Sequence, residues 1–168
     1  PPDPGMLAGT PYWMLHPLGV EQKRADTLRR AAQDATRLDA LAAAATAADP
    51  TAPAGEATTA LTARLTAIPG IGPWTAAEVV RLAVGDPDVV SVGDYNIPHH
   101  VVYALTGAVR AGSRDSAPGR LSAADQRMLE VLEPFRGQRG RVCQVLTMGT
   151  PGPPRFGPRL PLRSFARF

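Results

Sequence analysis

The sequence has little cysteine and no long apolar run. Its single cysteine, Cys143, excludes an internal disulfide and any metal or iron–sulfur site that needs several cysteines. We interpret Cys143 as a small apolar core residue. A membrane-spanning helix needs roughly 18 consecutive apolar residues, and no stretch of the sequence approaches that length, so we expect no membrane partner.

Acidic side chains are missing from the end of the chain. Arginine is well suited to phosphate oxygens, so a basic tail fits contact with a nucleic acid. It equally fits a solvated arginine-rich tail, and composition alone leaves both interpretations open. From position 134 onward there is no Asp or Glu, while seven arginines occur: Arg136, Arg139, Arg141, Arg155, Arg159, Arg163 and Arg167.

The length and composition are those of one globular domain, with 168 residues, 44% hydrophobic and 20% charged. Proline and glycine gather at the two ends. We therefore expect an irregular segment over residues 1–11, a folded domain over 12–148 and a basic Pro/Arg-rich tail over 149–168. Because the first residue is Pro1, we expect that the natural start is missing, so the lack of a targeting signal carries no information.

Apolar residues recur at helical spacing and no segment alternates as a β-strand does, so we predict an all-α fold of about six or seven short helices. One helix is expected to begin at Thr58 or Thr59, and Ser122 with Asp125 forms a variant capping box before another. Residues 88–93 are predicted to be a loop through the core. The other helices are predicted over 21–35, 38–48, 74–84, 96–105 and 140–148.

A tight turn is predicted over residues 69–73. Its two glycines permit left-handed backbone and the close approach of a ligand, and the turn leads into a helix N-terminus that favours an anion. A plain connector between helices is the alternative interpretation. If the turn binds a DNA phosphate, we also expect a monovalent Na⁺ or K⁺ at the carbonyls of Ile68 and Ile71. The predicted phosphate contacts are Pro69, Gly70, Ile71, Gly72 and Thr75.

Three segments carry a family resemblance. Residues 65–76 read LTAIPGIGPWTA, residues 92–97 read VGDYNI, and residues 16–32 read HPLGVEQKRADTLRRAA. Together they resemble the helix-hairpin-helix (HhH-GPD) superfamily of DNA glycosylases, and within it the 3-methyladenine DNA glycosylase II family. The resemblance covers residues 12–148 and places Asp94 where that family has its catalytic aspartate, 24 positions after Gly70.

The resemblance implies a DNA repair enzyme. Such a protein flips an alkylated purine, of the 3-methyladenine or 7-methylguanine type, out of duplex DNA and hydrolyses its N-glycosidic bond as a step of base excision repair. Bifunctional members carry a lysine where this chain has Trp74, so we expect hydrolysis without strand cleavage. The only lysine, Lys23, is expected on a surface helix away from the turn. A bacterial cytoplasmic monomer without a catalytic metal or an organic cofactor is implied.

Asp94 also has a role by physical reasoning alone. It precedes a predicted helix, so its carboxylate suits an N-cap, and a glycosylase needs a negative charge beside the sugar cation that the departing base leaves. Trp74 and Tyr95 are candidates for the pocket of the flipped base, with packing as core the alternative for Trp74. His99 and His100 are interpreted as ordinary helix residues, since no metal ligands accompany them at a suitable spacing.

The sequence departs from the family pattern in two places. The last predicted helix, 140–148, offers no aromatic residue to a base pocket, and the helices that normally precede residue 12 are absent. A non-catalytic DNA-binding module and an inactive truncated remnant are therefore kept as alternatives. Four basic residues are candidate contacts to the DNA backbone, or simple surface residues: Lys23, Arg24, Arg136 and Arg139.

Overall fold

A computed structural model describes residues 2–48, 57–115, 117 and 120–154. Over these residues the chain forms α-helices and two 3₁₀ turns (His16–Leu18, Glu133–Phe135) but no β-strand, which confirms the predicted all-α class. None of the helices in this part of the chain is long and apolar enough to cross a membrane. The nine α-helices are α1 (Pro4–Gly9), α2 (Tyr12–Leu15), α3 (Gln22–Gln33), α4 (Ala35–Thr46), α5 (Thr59–Thr66), α6 (Pro73–Ala83), α7 (Ile97–Thr106), α8 (Ala123–Leu132) and α9 (Arg139–Gly149).

The prediction that residues 1–11 are irregular is wrong. The described residues form nine α-helices where about six or seven were expected, and α1, which lies in this segment, accounts for part of the difference. Helix α1 forms there because the Asp3 carboxylate accepts the Met6 N–H at 2.9 Å and Pro4 occupies the first turn, where its missing N–H costs nothing. The helix packs on α3, and the Arg29 side chain donates to the Ala8 carbonyl at 3.3 Å. Helix α2 was likewise not predicted.

Two groups of buried side chains form the core. Helices α4, α5 and α6 share the first, in which Leu61, Leu65, Ala76 and Val80 are buried. Helices α7, α8 and α9 build the second around Val101, Val102, Met128, Leu132 and Cys143. The prediction of Cys143 as a core residue is confirmed, and burial raises the pKa of its thiol to about 11.

The predicted loop over 88–93 is confirmed, and Asp88 fastens it to the last helix. Asp88 is 4% exposed, and its carboxylate accepts the N–H groups of Gly137 and Arg139 as well as the Arg139 guanidinium. Helix α9 begins at this point, so one carboxylate caps the helix and fixes the loop. Gly140 sits so close that an added Cβ would lie 2.2 Å from the Val89 carbonyl oxygen.

The same loop also contacts the start of α8, where the predicted cap is confirmed. The Ser122 hydroxyl accepts the Asp125 N–H at 3.0 Å and donates to the Asp125 carboxylate at 2.6 Å. The same carboxylate accepts the Gly93 N–H at 2.9 Å. Since Gly93 immediately precedes Asp94, the start of α8 helps to fix the position of the candidate catalytic residue.

The turn between α5 and α6 is a compact hairpin pressed against α3. The Ile71 N–H donates to the Ile68 carbonyl at 3.0 Å, and Gly70 has a φ of +100°. The Thr27 hydroxyl of α3 donates to the Pro69 carbonyl at 3.2 Å. A Cβ added to Gly70 would lie 2.0 Å from Thr27 Oγ1, so this position needs glycine both for its backbone conformation and for its space.

We predict that Gly70→Ala lowers the free energy of unfolding by about 2 kcal/mol or more, because alanine is strained at this φ and clashes with Thr27. Gly72→Ala is the matched control, since Gly72 has an ordinary φ of −94° and nothing within 4 Å of an added Cβ. Because Gly72 is the N-cap of α6, where alanine is less favourable than glycine, its change should stay within about 1 kcal/mol. Urea unfolding measures both, and equal effects of the two variants would contradict the hairpin geometry.

A second prediction concerns Asp88, whose replacement by asparagine leaves the largely buried Arg139 guanidinium without its ion pair. Asp88→Asn should lower the free energy of unfolding by about 2–4 kcal/mol. The exposed Asp39→Asn is the control, with a change within about 0.5 kcal/mol. A loss no larger than that of the control would mean that the Asp88 contacts do not hold the loop.

The same pair predicts a pH dependence. Burial acts to raise the pKa of Asp88, but hydrogen bonds from Arg139 and Gly137 outweigh it and keep that pKa below its ordinary 3.8. The stabilisation is therefore complete above pH 3.8 and is lost as the pH falls through the lower folded value. The difference between wild type and Asp88→Asn should shrink in acid, and a difference that grows there would contradict this.

Candidate active site

The N-terminus of α6 is the predicted phosphate-binding part of the hairpin. Gly72 precedes the helix without a side chain to cap it, and Pro73 occupies the first helical position. The first-turn N–H groups of Trp74 and Thr75 therefore have no side-chain cap in the described part of the chain, and they point out of the helix end. This end of α6 can donate hydrogen bonds to an anion.

Lys23 lies on the helix that packs against the hairpin, so the prediction that its helix lies away from the turn is wrong. Its carbonyl accepts the Thr27 hydroxyl at 2.9 Å, and that same hydroxyl contacts Pro69 in the turn. The Lys23 side chain is exposed. It remains a candidate for a backbone phosphate near the hairpin.

Asp94 joins the hairpin to the next helix. One carboxylate oxygen, Oδ1, accepts the N–H groups of Asn96 at 2.7 Å and Ile97 at 2.8 Å, which confirms the predicted capping role at the start of α7. The other, Oδ2, accepts the indole N–H of Trp74 at 3.1 Å. The structure thus brings together Trp74 and Asp94, which lie 20 positions apart in the sequence. Three N–H donors hold the carboxylate in one orientation.

Trp74 is a surface residue, 43% exposed, so the alternative that it packs as core under the hairpin is wrong. Its indole ring lies beside the Asp94 carboxylate through the hydrogen bond from its N–H. Tyr95 is 67% exposed, and the Arg114 guanidinium stacks over its ring at 3.7 Å from the centroid. Arg114 was not predicted as a site residue, because the sequence of a loop does not show which distant side chains its residues contact.

A cavity of about 320 Å³ lies between α6, the start of α7 and α9. Glu78 enters it from α6, one helical turn after Trp74, and the negative charge of Asp94 is close enough to act on it. Sequence analysis missed Glu78, although its position four residues after Trp74 on one helix face was a usable signal. The cavity is lined chiefly by Glu78, Arg81, Ser91, Ile97, Thr147 and Met148.

The Glu78 carboxylate is fixed by two partners. Its Oε2 accepts from the Arg81 guanidinium at 2.5 Å, and its Oε1 accepts from the Ser91 hydroxyl at 2.5 Å. The hydrogen bond from Arg81 is the largest influence that holds the pKa of Glu78 below its ordinary value; burial opposes it, the Ser91 hydrogen bond supports it, and the Asp94 charge opposes it. Glu78 is therefore a carboxylate at neutral pH.

A larger cavity of about 690 Å³ lies on the other side of α7 and is lined by Tyr95, His99, Arg110 and Arg114 among others. The Nδ1 atom of His99 accepts the Ala111 N–H at 3.1 Å, and burial, with Arg114 and Arg110 adding to it, lowers the pKa of His99. His100 hydrogen-bonds Thr150 at 3.1 Å. Among the described residues no cluster of three or more His, Cys, Asp or Glu forms a metal site.

The residues predicted to contact the DNA backbone differ in whether their charge is available to a phosphate. Arg139 is turned onto the buried Asp88, so its guanidinium serves the fold. Arg136 pairs with Glu133 at 2.5 Å, and Arg24 lies 3.8 Å from Glu21; both are exposed and can exchange these partners for a phosphate. The tail residues 155–168, with four of the seven arginines, lie outside the described residues.

The predicted cation site depends on backbone carbonyls. The Ile68 carbonyl already accepts the Ile71 N–H, which uses one of its two lone pairs. A Na⁺ or K⁺ at Ile68 and Ile71 stays a prediction.

Comparison of the chain with protein-family models, with curated proteins and with solved structures found no match. The resemblance to helix-hairpin-helix glycosylases therefore depends on the three motifs in the sequence. The structure adds one observation to those motifs: Trp74 of α6 donates a hydrogen bond to the Asp94 carboxylate.

Proposed function

We propose that this protein is a monofunctional DNA glycosylase that hydrolyses the N-glycosidic bond of alkylated purines in duplex DNA. The observation that carries the proposal is the Asp94 carboxylate, fixed at the start of α7 and hydrogen-bonded to Trp74 in the first turn of α6. A phosphate at the N-terminus of α6 would place the sugar–phosphate backbone next to this carboxylate. Phosphate binding and bond hydrolysis would then both take place at the N-terminal end of α6.

The proposed mechanism divides the work among these groups. The hairpin N–H groups hold a phosphate without reading the sequence. The damaged nucleotide leaves the base stack, and the exposed Trp74 ring offsets part of the lost stacking. As the C1′–N bond breaks, the sugar becomes cationic and the Asp94 carboxylate stabilises it. Water adds to C1′ and releases its proton, so the products are a free base and an abasic sugar.

The absence of a second lysine supports hydrolysis over strand cleavage. A Schiff base with C1′ needs an amine, and Trp74 occupies the position at which bifunctional superfamily members carry it. Lys23 is the only lysine of this chain, and in the described part of the structure Asp94 accepts hydrogen bonds from Trp74, Asn96 and Ile97. Water is therefore the proposed nucleophile.

A non-catalytic DNA-binding module is the second candidate. It is favoured by the fact that Asp94 Oδ1 is fully explained as a helix cap. A cap needs only an acceptor oxygen, whereas stabilising a sugar cation needs a negative charge. Replacement of the charge therefore separates the two candidates.

We predict that Asp94→Asn reduces base release from methylated duplex DNA by about 100-fold or more. The amide oxygen keeps the α7 cap, while the charge is removed and an NH₂ group replaces the oxygen that accepts the Trp74 indole N–H. DNA affinity should stay about the same. Asp115→Asn, a change at an exposed aspartate, is the control. Chromatography of the released bases measures activity, and a binding titration measures DNA affinity. Unchanged base release in Asp94→Asn would contradict the assignment of Asp94 as the catalytic residue.

The absence of a Schiff base gives a separate prediction. Borohydride added during the reaction should trap no covalent protein–DNA adduct, and the product strand should stay intact until alkali cleaves it at the abasic site. Denaturing gels show both outcomes. A trapped adduct that disappears in Lys23→Arg would show that the lysine attacks the sugar and that hydrolysis by water is the wrong mechanism.

A further inference from the structure

The 320 Å³ cavity lined by Glu78 and Ile97 is a feature that nothing in the sequence motifs describes. Asp94 is not one of its lining residues, but it accepts the Ile97 N–H at 2.8 Å and so lies next to the cavity wall. Its volume lies at the lower end of the range of roughly 300–1,000 Å³ that small-molecule sites occupy, which suits a single base. Trp74 and Glu78 stand on the same face of α6, one turn apart, and Trp74 contacts Asp94. A base that stacks on Trp74 therefore has Glu78 within the next turn of the same helix.

The walls of the cavity are partly apolar and partly polar. Ile97 from α7 and Met148 from α9 supply apolar surface, and methionine adapts its shape to a flat partner. Met148 is 86% exposed, so it contacts little of its own protein. The polar lining side chains are Glu78, Arg81, Ser91, Gln144 and Thr147, and Glu78 carries a negative charge that is paired with Arg81.

Glu78 is oriented before any ligand arrives. Arg81 holds one of its oxygens and Ser91 the other, so the carboxylate plane cannot rotate freely. A carboxylate offers about four lone-pair positions, so each oxygen keeps the capacity for one more donor. The group can therefore accept two parallel N–H bonds from one ligand edge.

We propose that Glu78 is a specificity-determining residue that accepts the two N–H donors of a guanine-type Watson–Crick edge. This inference rests on the proposed function, and it makes 7-methylguanine the preferred base. The N1–H and N2–H groups of that base match a carboxylate. An adenine-type edge presents one amino group beside the lone pair of N1, and this lone pair repels the carboxylate.

The discrimination has a physical basis in the contacts between the base edge and Glu78. Both Glu78 oxygens keep Arg81 and Ser91 as partners whichever base is bound. The discrimination therefore comes from the two added N–H bonds of a guanine-type edge and from the repulsion between the N1 lone pair of an adenine-type edge and the carboxylate. Glu78 lines the cavity and its side chain is 26% exposed, so water replaces a missing donor only in part. Preference for 7-methylguanine over 3-methyladenine follows from this pairing.

The test uses one duplex DNA methylated with dimethyl sulfate, which carries both 7-methylguanine and 3-methyladenine. Glu78→Gln keeps the size of the side chain but leaves one acceptor oxygen and one amino donor at the edge. We expect it to lower the ratio of 7-methylguanine to 3-methyladenine release by about tenfold or more. Because both bases come from the same DNA and the same enzyme, a partial loss of folded protein does not change the ratio.

Glu130→Gln is the matched control, since Glu130 is an exposed residue of α8 that pairs with Arg127 and is not among the residues that line the cavity. Its release ratio should equal that of wild type. An unchanged ratio in Glu78→Gln, with both bases still released, overturns the role of Glu78 and leaves the proposed function standing. Release of neither base by wild type overturns the proposed function itself.

A second measurement covers the case in which Glu78→Gln does not fold, as judged by circular dichroism. Free 7-methylguanine and free 3-methyladenine are added to the wild-type reaction as product inhibitors. Inhibition by free 7-methylguanine at about tenfold lower concentration supports the role of Glu78. Equal or stronger inhibition by free 3-methyladenine overturns it.

Discussion

The hydrogen bond from the Trp74 indole to the Asp94 carboxylate is the contact on which the site depends. It joins the second hairpin helix to the start of α7, and the two belong to the two separate groups of core residues. The contact places the N-terminus of α6, whose first-turn N–H groups lack a side-chain cap in the described part of the chain, next to the Asp94 carboxylate. The Trp74 side chain thus fixes the geometry of the site, in addition to the stacking role proposed for it.

Carboxylates that accept backbone N–H groups hold the connecting loop in place. Asp88 fixes it to the start of α9, Asp125 fixes it to the start of α8, and Asp94 ends it at the start of α7. Each of these carboxylates lies at the N-terminus of a helix, where the helix dipole favours a negative side chain. A loop without regular structure can position a reacting group because its ends are fastened in this way.

The sequence allowed much of the fold and part of the site to be predicted. Helices with strong apolar periodicity, such as the one that buries Leu61 and Leu65, were found, and so was the Ser122 cap. Helix α1 was missed because an Asp-Pro start in a Pro/Gly-rich segment reads as irregular chain. Arg139 was taken for a surface cation because its partner, Asp88, lies 51 positions away. Arg114 was missed for the same reason, since its contact with Tyr95 joins positions that are 19 apart. Glu78 was missed although its spacing from Trp74 was a usable local signal.

The central claim is that a carboxylate beside a phosphate-binding hairpin releases alkylated bases. It is tested most directly by incubating the wild-type protein with methylated duplex DNA and identifying the bases in the supernatant by mass spectrometry. The account predicts free methylated purines, with abasic sites left in intact strands. Release of only oxidised bases or uracil, or tight DNA binding with no base released, would contradict it.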